Sequence, residues 1–191
     1  MEAVESPDNK REQELVRLVD TYQSSLRRMC CTILRDRTLA EDAVQETFLK
    51  AYKALDNFRQ DCSEKTWLMR IAINTCRDFR RSAWFRYLDR RITPEDLPLA
   101  SNPMEEESVE LTAAIMRLPQ KLQEATLLHY YQNMTVREIA EALQTPQSTV
   151  SARLIRARAK LRTFLERGES LWMTVRMLKR FDLLSTRPFL I

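Results

Sequence analysis

Glycine is almost absent from this sequence, which has one glycine and seven prolines in 191 residues. Tight β-hairpin turns and glycine-rich phosphate loops need residues that readily adopt positive φ angles. The composition therefore argues against a hairpin-rich fold and against a nucleotide-binding loop, and it predicts an all-α protein. Charged residues make up 30% of the chain and hydrophobic residues 44%, as expected for a chain that folds.

The sequence also lacks the pattern of a structural metal site. The four cysteines, Cys30, Cys31, Cys62 and Cys76, do not have paired C-x-x-C spacing. We therefore predict no metal and no cofactor, and we interpret the cysteines as reduced, mostly buried thiols, with a redox switch as the less favoured alternative. No secretory signal pattern and no apolar run of about 18 residues is present, which favours a cytoplasmic protein.

What the sequence does contain is a two-helix pattern in residues 135–167. Thr135 and Glu138 have the spacing of a capping box, which predicts the start of the first helix. Gln144 and Thr145 are predicted to form the turn. Glycine is common in such turns, so Gln144 is expected to adopt a strained backbone conformation there.

The second helix of this pair is strongly basic. Pro146 suits its first position, with Thr145 as its cap. Residues at helical spacing predict one buried face made of Val150, Leu154, Ala157 and Leu161. The opposite face holds Ser148, Ala152, Ile155 and Ala159. Five arginines and one lysine against one glutamate give residues 147–167 a net charge of +5. Such a helix suits the major groove of duplex DNA, as in a helix-turn-helix; the alternative is a solvated basic helix in a bundle.

Two helices are predicted near the start of the chain. Residues 1–10 are expected to be disordered, and residues 11–34 carry apolar side chains at helical spacing. A second helix is predicted from Thr38, with Thr38 and Glu41 as a capping box. Its core-facing positions are Leu39, Ala43, Val44, Thr47, Phe48 and Ala51, and its polar face holds Glu41, Asp42, Gln45 and Glu46.

A basic helix rich in aromatic residues follows a polar loop at residues 56–65. Ser63 or Thr66 is the predicted cap, and the predicted buried stripe is Trp67, Leu68, Ile71, Thr75 and Phe79. Seven arginines against two aspartates give residues 70–91 a net charge of +5, with Trp84, Phe85 and Tyr87 interleaved. This combination suits single-stranded nucleic acid, because cations follow the backbone and rings stack on bases. Alternatively, these aromatic residues close one end of the core.

Residues 92–110 change character, with three prolines, five glutamates, one aspartate and no basic residue. This composition predicts a flexible acidic linker. Two short helices on either side of Pro119 are then expected to support the helix-turn-helix, and His129 is interpreted as structural. Residues 168–191 have apolar side chains at helical spacing but no assigned role.

Taken in this order, the segments resemble the bacterial RNA polymerase sigma factors of the extracytoplasmic-function class. The resemblance lies in AEDAVQETFLKAY, KTWLMRIAINTCRDFRR, LPQKLQEATLLHYYQNMTVREIAEAL and STVSARLIRARAKLR, and it extends over roughly residues 12–167. It implies two small helical domains joined by the acidic linker. A sigma region 2 bundle would occupy residues 11–91, and a region 4 helix-turn-helix residues 111–167, before a C-terminal extension at 168–191.

The resemblance also implies three binding surfaces. Asp42, Gln45 and Glu46 would contact the coiled coil of the β′ subunit of core RNA polymerase, and region 4 its β flap. Single-stranded −10 promoter DNA would meet Phe58, Arg59, Asn74, Arg77, Arg80 and Arg81, with Asn74 lining a pocket for a flipped base. Duplex −35 DNA would meet Arg137, Ser148, Thr149, Ser151, Ala152, Arg153, Ile155 and Arg156.

A sigma factor of this class is not an enzyme, so no catalytic residues are expected. The resemblance further implies control of stress or envelope-response genes and an anti-sigma partner, which in many members is membrane-bound. The competing hypothesis is a stand-alone helix-turn-helix regulator. Such a regulator would need neither the polar face of Asp42, Gln45 and Glu46 nor a single-strand site.

Overall fold

A computed structural model describes residues 7–58, 61–82 and 105–167, and all regular secondary structure in these ranges is helical. The helices are α1 Pro7–Leu34, α2 Arg37–Ala54, α3 Glu64–Arg81, α4 Glu105–Met116, α5 Gln120–Thr126, α6 Val136–Leu143 and α7 Gln147–Arg167. A 3-10 turn at Leu55–Asn57 follows α2, and a π-helical turn at Leu127–Tyr131 extends α5. The all-α prediction is confirmed. Within these ranges, no helix has the length and apolar character needed to cross a membrane.

Helices α1 to α3 form the first domain. On α2 every predicted core position is buried, together with Ala40. On α3 the predicted stripe is only partly correct, because Trp67, Ile71 and Phe79 are half-buried. The buried residues are instead Thr66, Leu68, Met69, Ala72, Ile73, Thr75 and Cys76. This face is wider than one helical stripe because α1, α2 and α6 all pack on α3.

Two helix starts differ from the prediction in this domain. Helix α1 begins at Pro7, so residues 7–10, which were predicted to be disordered, are helical. Helix α2 is capped by Asp36, whose Oδ1 accepts a hydrogen bond of 2.8 Å from the amide of Leu39. The predicted Thr38–Glu41 box is therefore wrong. Arg35, which follows the last residue of α1, has a φ of 56°, and Asp36 is extended, one residue before the next helix, where a carboxylate is a favourable cap.

Helices α4 to α7 form the second domain. Helix α4 begins at Glu105, so the last six residues of the predicted linker are helical instead. Several predicted features lie outside the described residues. They are residues 1–6, Arg59, the aromatic residues Trp84, Phe85 and Tyr87, the linker residues 92–104 and the extension 168–191. Pro119 is the N-cap of α5, as its place between two predicted helices suggested.

The helix-turn-helix has the predicted local geometry. Thr135 Oγ1 accepts from the amide of Glu138 at 3.2 Å, and Glu138 Oε2 accepts from the amide of Thr135 at 2.8 Å. Gln144 ends α6 in the left-handed conformation, with φ 50° and ψ 53°. Pro146 lies just before α7 rather than inside it, and its carbonyl accepts hydrogen bonds from the amides of Thr149 and Val150.

The two domains are packed against each other. Helices α5 and α6 contact α1 and α3, and the buried apolar side chains of both domains form one cluster. Nothing in the sequence pattern predicted this contact. It determines which parts of the candidate interface face solvent.

We expect Gln144→Gly to raise the free energy of unfolding by up to about 1 kcal/mol. In the left-handed region, the close contact between Cβ and the carbonyl oxygen destabilises a non-glycine residue by roughly 1–2 kcal/mol. Glycine removes this contact, but it also loses more conformational entropy on folding, which offsets part of the stabilisation. Urea denaturation followed by circular dichroism measures the change. As a control, Gln23→Gly in exposed α1 should lower stability by roughly 0.5–1 kcal/mol. Equal destabilisation by both substitutions would contradict a strained turn.

Candidate nucleic-acid interface

Helix α7 presents a basic outer face to solvent. Its buried stripe is the predicted one, with Val150, Leu154, Ala157 and Leu161 all at most 5% exposed. Ile155 is 65% exposed and Arg156 lies beside it, also exposed. Of the other candidate residues, Ser148 is exposed, and Thr149, Ser151, Ala152 and Arg153 are half-buried. An exposed Ile beside an Arg on a basic helix can contact a thymine methyl and the acceptors of a guanine.

Contacts from neighbouring helices orient α7. Arg158 Nε donates a hydrogen bond of 2.9 Å to the hydroxyl of Tyr130, so this arginine supports the fold and does not face outward. Burial raises the pKa of Tyr130, and the hydrogen bond from Arg158 opposes that effect.

Arg137 on α6 is exposed and pairs with Glu141 of the same helix at 3.1 Å. Exposed ion pairs contribute little to stability, so a phosphate can replace Glu141 as the partner of Arg137 at little cost.

Helix α3 carries a second polar stripe. Arg70, Asn74, Arg77 and Arg81 follow at spacings of four, three and four residues, so they share one face. Asn74 and Arg81 are exposed, whereas Arg70 and Arg77 are half-buried, as is Arg80 nearby. Asn74 Oδ1 accepts a hydrogen bond of 3.2 Å from Arg77 Nη1. Three of the predicted −10 residues therefore lie on one stripe, and Arg70 joins them.

Phe58 lies near the start of α3. Its ring stacks on that of Trp67, with centroids 4.7 Å apart and planes 26° from parallel. Trp67, predicted as core, is half-buried at this position. Ser63 caps the helix, with its hydroxyl accepting from the amide of Thr66 at 3.1 Å. The stacked pair thus forms a half-exposed aromatic surface at the beginning of the basic helix.

The polar face of α2 is also open to solvent. Asp42 and Gln45 are exposed, and Glu46 is half-buried and lies 3.7 Å from Lys50 Nζ. Leu49 follows at the next position on the same face and is 52% exposed. Sequence reasoning did not select Leu49, although its spacing from Asp42, Gln45 and Glu46 was the available signal. An exposed leucine beside carboxylate and amide groups is suited to a protein partner.

The half-buried Arg77 is bound by the second domain. Its Nε and Nη2 donate to the two carboxylate oxygens of Glu124 on α5, at 3.0 and 2.7 Å. The Glu124 side chain is 2% exposed, and Gln120 Nε2 also donates to it at 2.9 Å. The hydrogen bonds to Glu124 raise the pKa of Arg77 above its ordinary value. A buried carboxylate needs such partners, because an unpaired one would lose several kcal/mol of hydration.

Other polar contacts cross the same interface. Arg70 Nη2 donates to the carbonyl of Glu141 at 2.9 Å, and Lys65 Nζ donates to the carbonyl of Gln132. Two buried amides of the second domain donate to backbone carbonyls of α1. Gln123 Nε2 lies 3.2 Å from Thr32 O, and Gln132 Nε2 lies 3.1 Å from Ser25 O.

Sequence reasoning missed these polar residues of α5. Helix α5 was predicted to support the helix-turn-helix, and its residues Leu122, Ala125 and Thr126 are buried, as is Leu128 in the π-helical turn that follows. Gln123 and Glu124 are equally buried, between apolar neighbours on both sides. A Gln–Glu pair inside an otherwise apolar segment was the available signal, but it does not indicate which arginine it meets.

The cysteine and histidine side chains are buried, half-buried or hydrogen-bonded within the fold. Cys30, Cys31 and Cys76 are buried thiols, and Cys62 is half-buried. A hydrogen bond with Cys76, together with burial, raises the pKa of Cys30 well above its usual value, and burial raises the pKa of Cys31 to about 11. His129 Nδ1 lies 2.8 Å from the carbonyl of Met134. Among the residues that the structure describes, no group of three or more such side chains could hold a metal ion.

Two family models match the chain, one over each domain. The model described as sigma-70 region 2 matches residues 18–86, and the model described as sigma-70, region 4, matches residues 108–161. The RNA polymerase sigma-H factor of Pseudomonas aeruginosa is 34% identical over 155 residues, which cover 74% of this chain and 80% of that protein. The ECF RNA polymerase sigma factor SigW of Bacillus subtilis is 31% identical over 159 residues, covering 76% and 85%.

A solved structure with a similar fold is that of CnrH in complex with the cytosolic domain of CnrY. The match has a TM-score of 0.63 and 26% identity, and it covers 82% of this chain and 90% of that chain. The similarity therefore includes residues of both domains.

Proposed function

Because this chain belongs to the RNA polymerase sigma factors of the extracytoplasmic-function class, we propose that its exposed faces divide promoter recognition between its two domains. The observation that carries the proposal is the presence of two separate basic surfaces. One is the outer face of α7, on which Ile155 is exposed. The other is the polar stripe of α3, which begins near the stacked rings of Phe58 and Trp67. The first suits duplex DNA and the second suits single strands.

Helix α7 would read the −35 element in the major groove. Arg156 would bind a guanine in a bidentate manner, and Ile155 would contact a thymine methyl. Arg137 and Arg153 would bind phosphates on either side, and Ser148, Thr149, Ser151 and Ala152 would line the groove-facing surface. In this role the small side chains allow the helix to approach the bases closely.

The α3 surface would hold the unpaired −10 strand. Asn74 would line a pocket for a flipped base, with Phe58 and Arg59 at its entrance. Arg77, Arg80 and Arg81 would bind the backbone. Promoter opening then needs no separate energy source, because each unstacked base gains a stacking or pocket contact in exchange.

The polar face of α2 would bind core RNA polymerase. Asp42, Gln45 and Glu46 would meet the β′ coiled coil, with Leu49 adding an exposed apolar side chain, and the second domain would meet the β flap. All catalysis would then belong to the polymerase, so the sigma subunit itself would not act as an enzyme.

We also infer an anti-sigma partner. CnrH, which shares this fold, is solved in complex with the cytosolic domain of a second protein. A comparable partner would hold this chain inactive on the cytoplasmic side of the membrane until a stress or envelope signal releases it. The stand-alone regulator is disfavoured because the named relatives are RNA polymerase sigma factors.

Transcription in vitro tests the proposed function directly. The purified chain is added to sigma-free bacterial core polymerase and a pool of random promoter fragments, and the transcripts are sequenced. We expect defined start sites that depend on the added chain and share two upstream motifs. Tight binding to duplex DNA without polymerase binding or defined starts would favour the stand-alone regulator.

Arg156→Ala should weaken binding of holoenzyme to its selected −35 duplex by about 1–3 kcal/mol, because a bidentate base contact is lost. The effect is measured by competition between the selected duplex and a scrambled duplex. Lys160→Ala is the matched control, since it removes the same charge from another exposed position of α7. If Arg156→Ala weakened both duplexes equally, as expected for Lys160→Ala, Arg156 would be a phosphate contact only.

Asn74→Ala should reduce promoter opening while leaving −35 binding unchanged, because the pocket acts only on an unpaired base. Permanganate reactivity of unpaired thymines measures opening, and duplex binding is measured separately. Gln23→Ala removes an exposed amide from α1 and serves as the control. Equal loss of duplex binding and opening would show that the pocket assignment is wrong.

A further inference from the structure

We propose that helix α1 takes part in −10 recognition through two positioning residues. Arg11 and Arg17 fix the two chain segments that carry Phe58 and Trp67, and thereby hold the site that captures an unpaired base. This inference rests on the proposed function, since it takes Phe58 and Asn74 as parts of the single-strand site. It gives a role to a helix on which sequence reasoning selected no site residue.

Arg11 holds the segment that leads into Phe58. Its Nη2 donates a hydrogen bond of 3.3 Å to the carbonyl of Tyr52 and lies 3.3 Å from Oδ2 of Asp56, in the 3-10 turn. The Arg11 guanidinium also lies over the Tyr52 ring, 4.8 Å from its centroid, in a cation–π contact. Because Asp56 precedes Phe58 by two residues, these contacts connect the chain just before Phe58 to α1.

Arg17 holds the segment that leads into Trp67. Its Nη2 donates to the carboxylate of Glu64, in the first turn of α3. Its Nη2 and Nε also donate to Glu14, one turn back on α1, at 2.6 and 3.0 Å, so the guanidinium is held in place on its own helix. Burial, together with the Glu64 carboxylate, raises the pKa of Tyr22. Glu64 therefore meets α1 at two side chains, three residues before Trp67.

One helix can hold both segments because the two arginines leave it in different directions. Six residues turn an α-helix through about 600°, so Arg11 and Arg17 point about 120° apart and lie about 9 Å apart along the axis. Helix α1 packs against both α2 and α3. The end of α2 and the start of α3 are thus held by the same helix, which fixes their positions relative to each other.

This relative position sets the width of the proposed pocket. Phe58 and Trp67 stack with centroids 4.7 Å apart, but a stack of rings permits sliding and rotation. Asn74 lies about two helical turns after Trp67 on α3, so it follows the end of that helix that Arg17 holds. Phe58 follows the segment that Arg11 holds. A binding site keeps its selectivity only if its groups stay within about 0.5 Å of the productive geometry.

The two arginines are expected to contribute little to the free energy of unfolding. Asp56 is exposed and the Arg17 side chain is about half exposed, and ion pairs at such positions stabilise a protein only slightly. Arg11 Nε is buried and has no hydrogen-bond partner among the described residues, which offsets part of the stabilisation from its other contacts. Loss of either arginine should therefore displace the pocket without unfolding the domain.

Base discrimination by the holoenzyme tests the proposal. The chain is assembled with sigma-free core polymerase, and opening of a promoter that it selects is compared with opening of the same fragment with one −10 base substituted. The substituted position is the one at which Asn74→Ala removes the preference. Permanganate reactivity of unpaired thymines measures opening. A variant that is only less stable opens both fragments less and keeps their ratio, whereas a displaced pocket lowers the ratio.

We expect Arg11→Ala and Arg17→Ala each to lower this ratio by roughly fivefold, which is the scale of one weakened base–aromatic contact. Glu64→Gln removes the Arg17 contact from the side of α3 and should reproduce Arg17→Ala, and the double variant should lose no more than either single variant. Arg27→Ala is the matched control, because it removes the same charge from another exposed position of α1. It should keep the parent ratio.

The position of the aromatic pair can be measured without DNA. Trp84→Phe and Trp172→Phe leave Trp67 as the single tryptophan of the chain, and Phe58 shields one face of its ring. Quenching of this fluorescence by acrylamide should increase when Arg11 or Arg17 is replaced by alanine, and should not increase in Arg27→Ala. Circular dichroism during urea denaturation checks that each variant is folded.

Conservative variants separate positioning from a general loss of structure. Arg11→Lys and Arg17→Lys keep a cation beside each carboxylate, so they should recover most of the discrimination. Parent ratios in both alanine variants would overturn the proposal, and so would an equal loss in Arg27→Ala. A lower ratio with unchanged Trp67 quenching would overturn it as well, because the arginines would then act on DNA directly.

Failure of the positioning role and failure of the proposed function are separate results. If the parent chain produced no defined start sites with core polymerase, the sigma function would fail whatever the quenching showed. If the parent holoenzyme opened its promoter with a base preference and both alanine variants kept that preference, only the positioning role would fail.

Discussion

The arrangement of this molecule depends on one buried carboxylate. Glu124 has almost no contact with water, and a carboxylate in that position is stable only if cations and donors replace its hydration. Arg77 supplies two charge-assisted hydrogen bonds and Gln120 a third. Because Arg77 belongs to α3 and Glu124 to α5, this group is satisfied only when the two domains are in contact, and the contact covers part of α3.

The two kinds of contact in the chain have different consequences. Within each domain, apolar faces such as Val44, Phe48 and Ala51 on α2 pack in a dry core, which water cannot replace without a large loss of free energy. Between the domains, apolar side chains of the shared cluster are accompanied by polar contacts, in which Arg77 donates to the Glu124 carboxylate, and Arg70 and Gln123 donate to backbone carbonyls.

Local patterns predicted local structure well. The Thr135–Glu138 box, the left-handed Gln144 and the buried stripe of α7 all depend on residues within four or five positions of each other, and the structure confirms them. The predictions that were wrong have different causes. Thr38 has the residue spacing of a cap, but Asp36 takes that role because Arg35 turns the chain first. The buried face of α3 is wider than the predicted stripe because α6, which is more than fifty residues away in sequence, packs against one side of α3.

The sequence by itself determined the helical class, the helix-turn-helix and the polar face of α2, because helical periodicity and capping are encoded over a few neighbouring positions. The candidate DNA-binding residues were predicted from the resemblance to sigma factors. Only the tertiary structure decided which of those residues face solvent. Arg77 and Asn74 are equivalent in the sequence pattern, yet Asn74 is exposed and Arg77 is held by Glu124, 47 residues away. Long-range packing brings that carboxylate to that guanidinium, and no spacing between neighbouring residues records it.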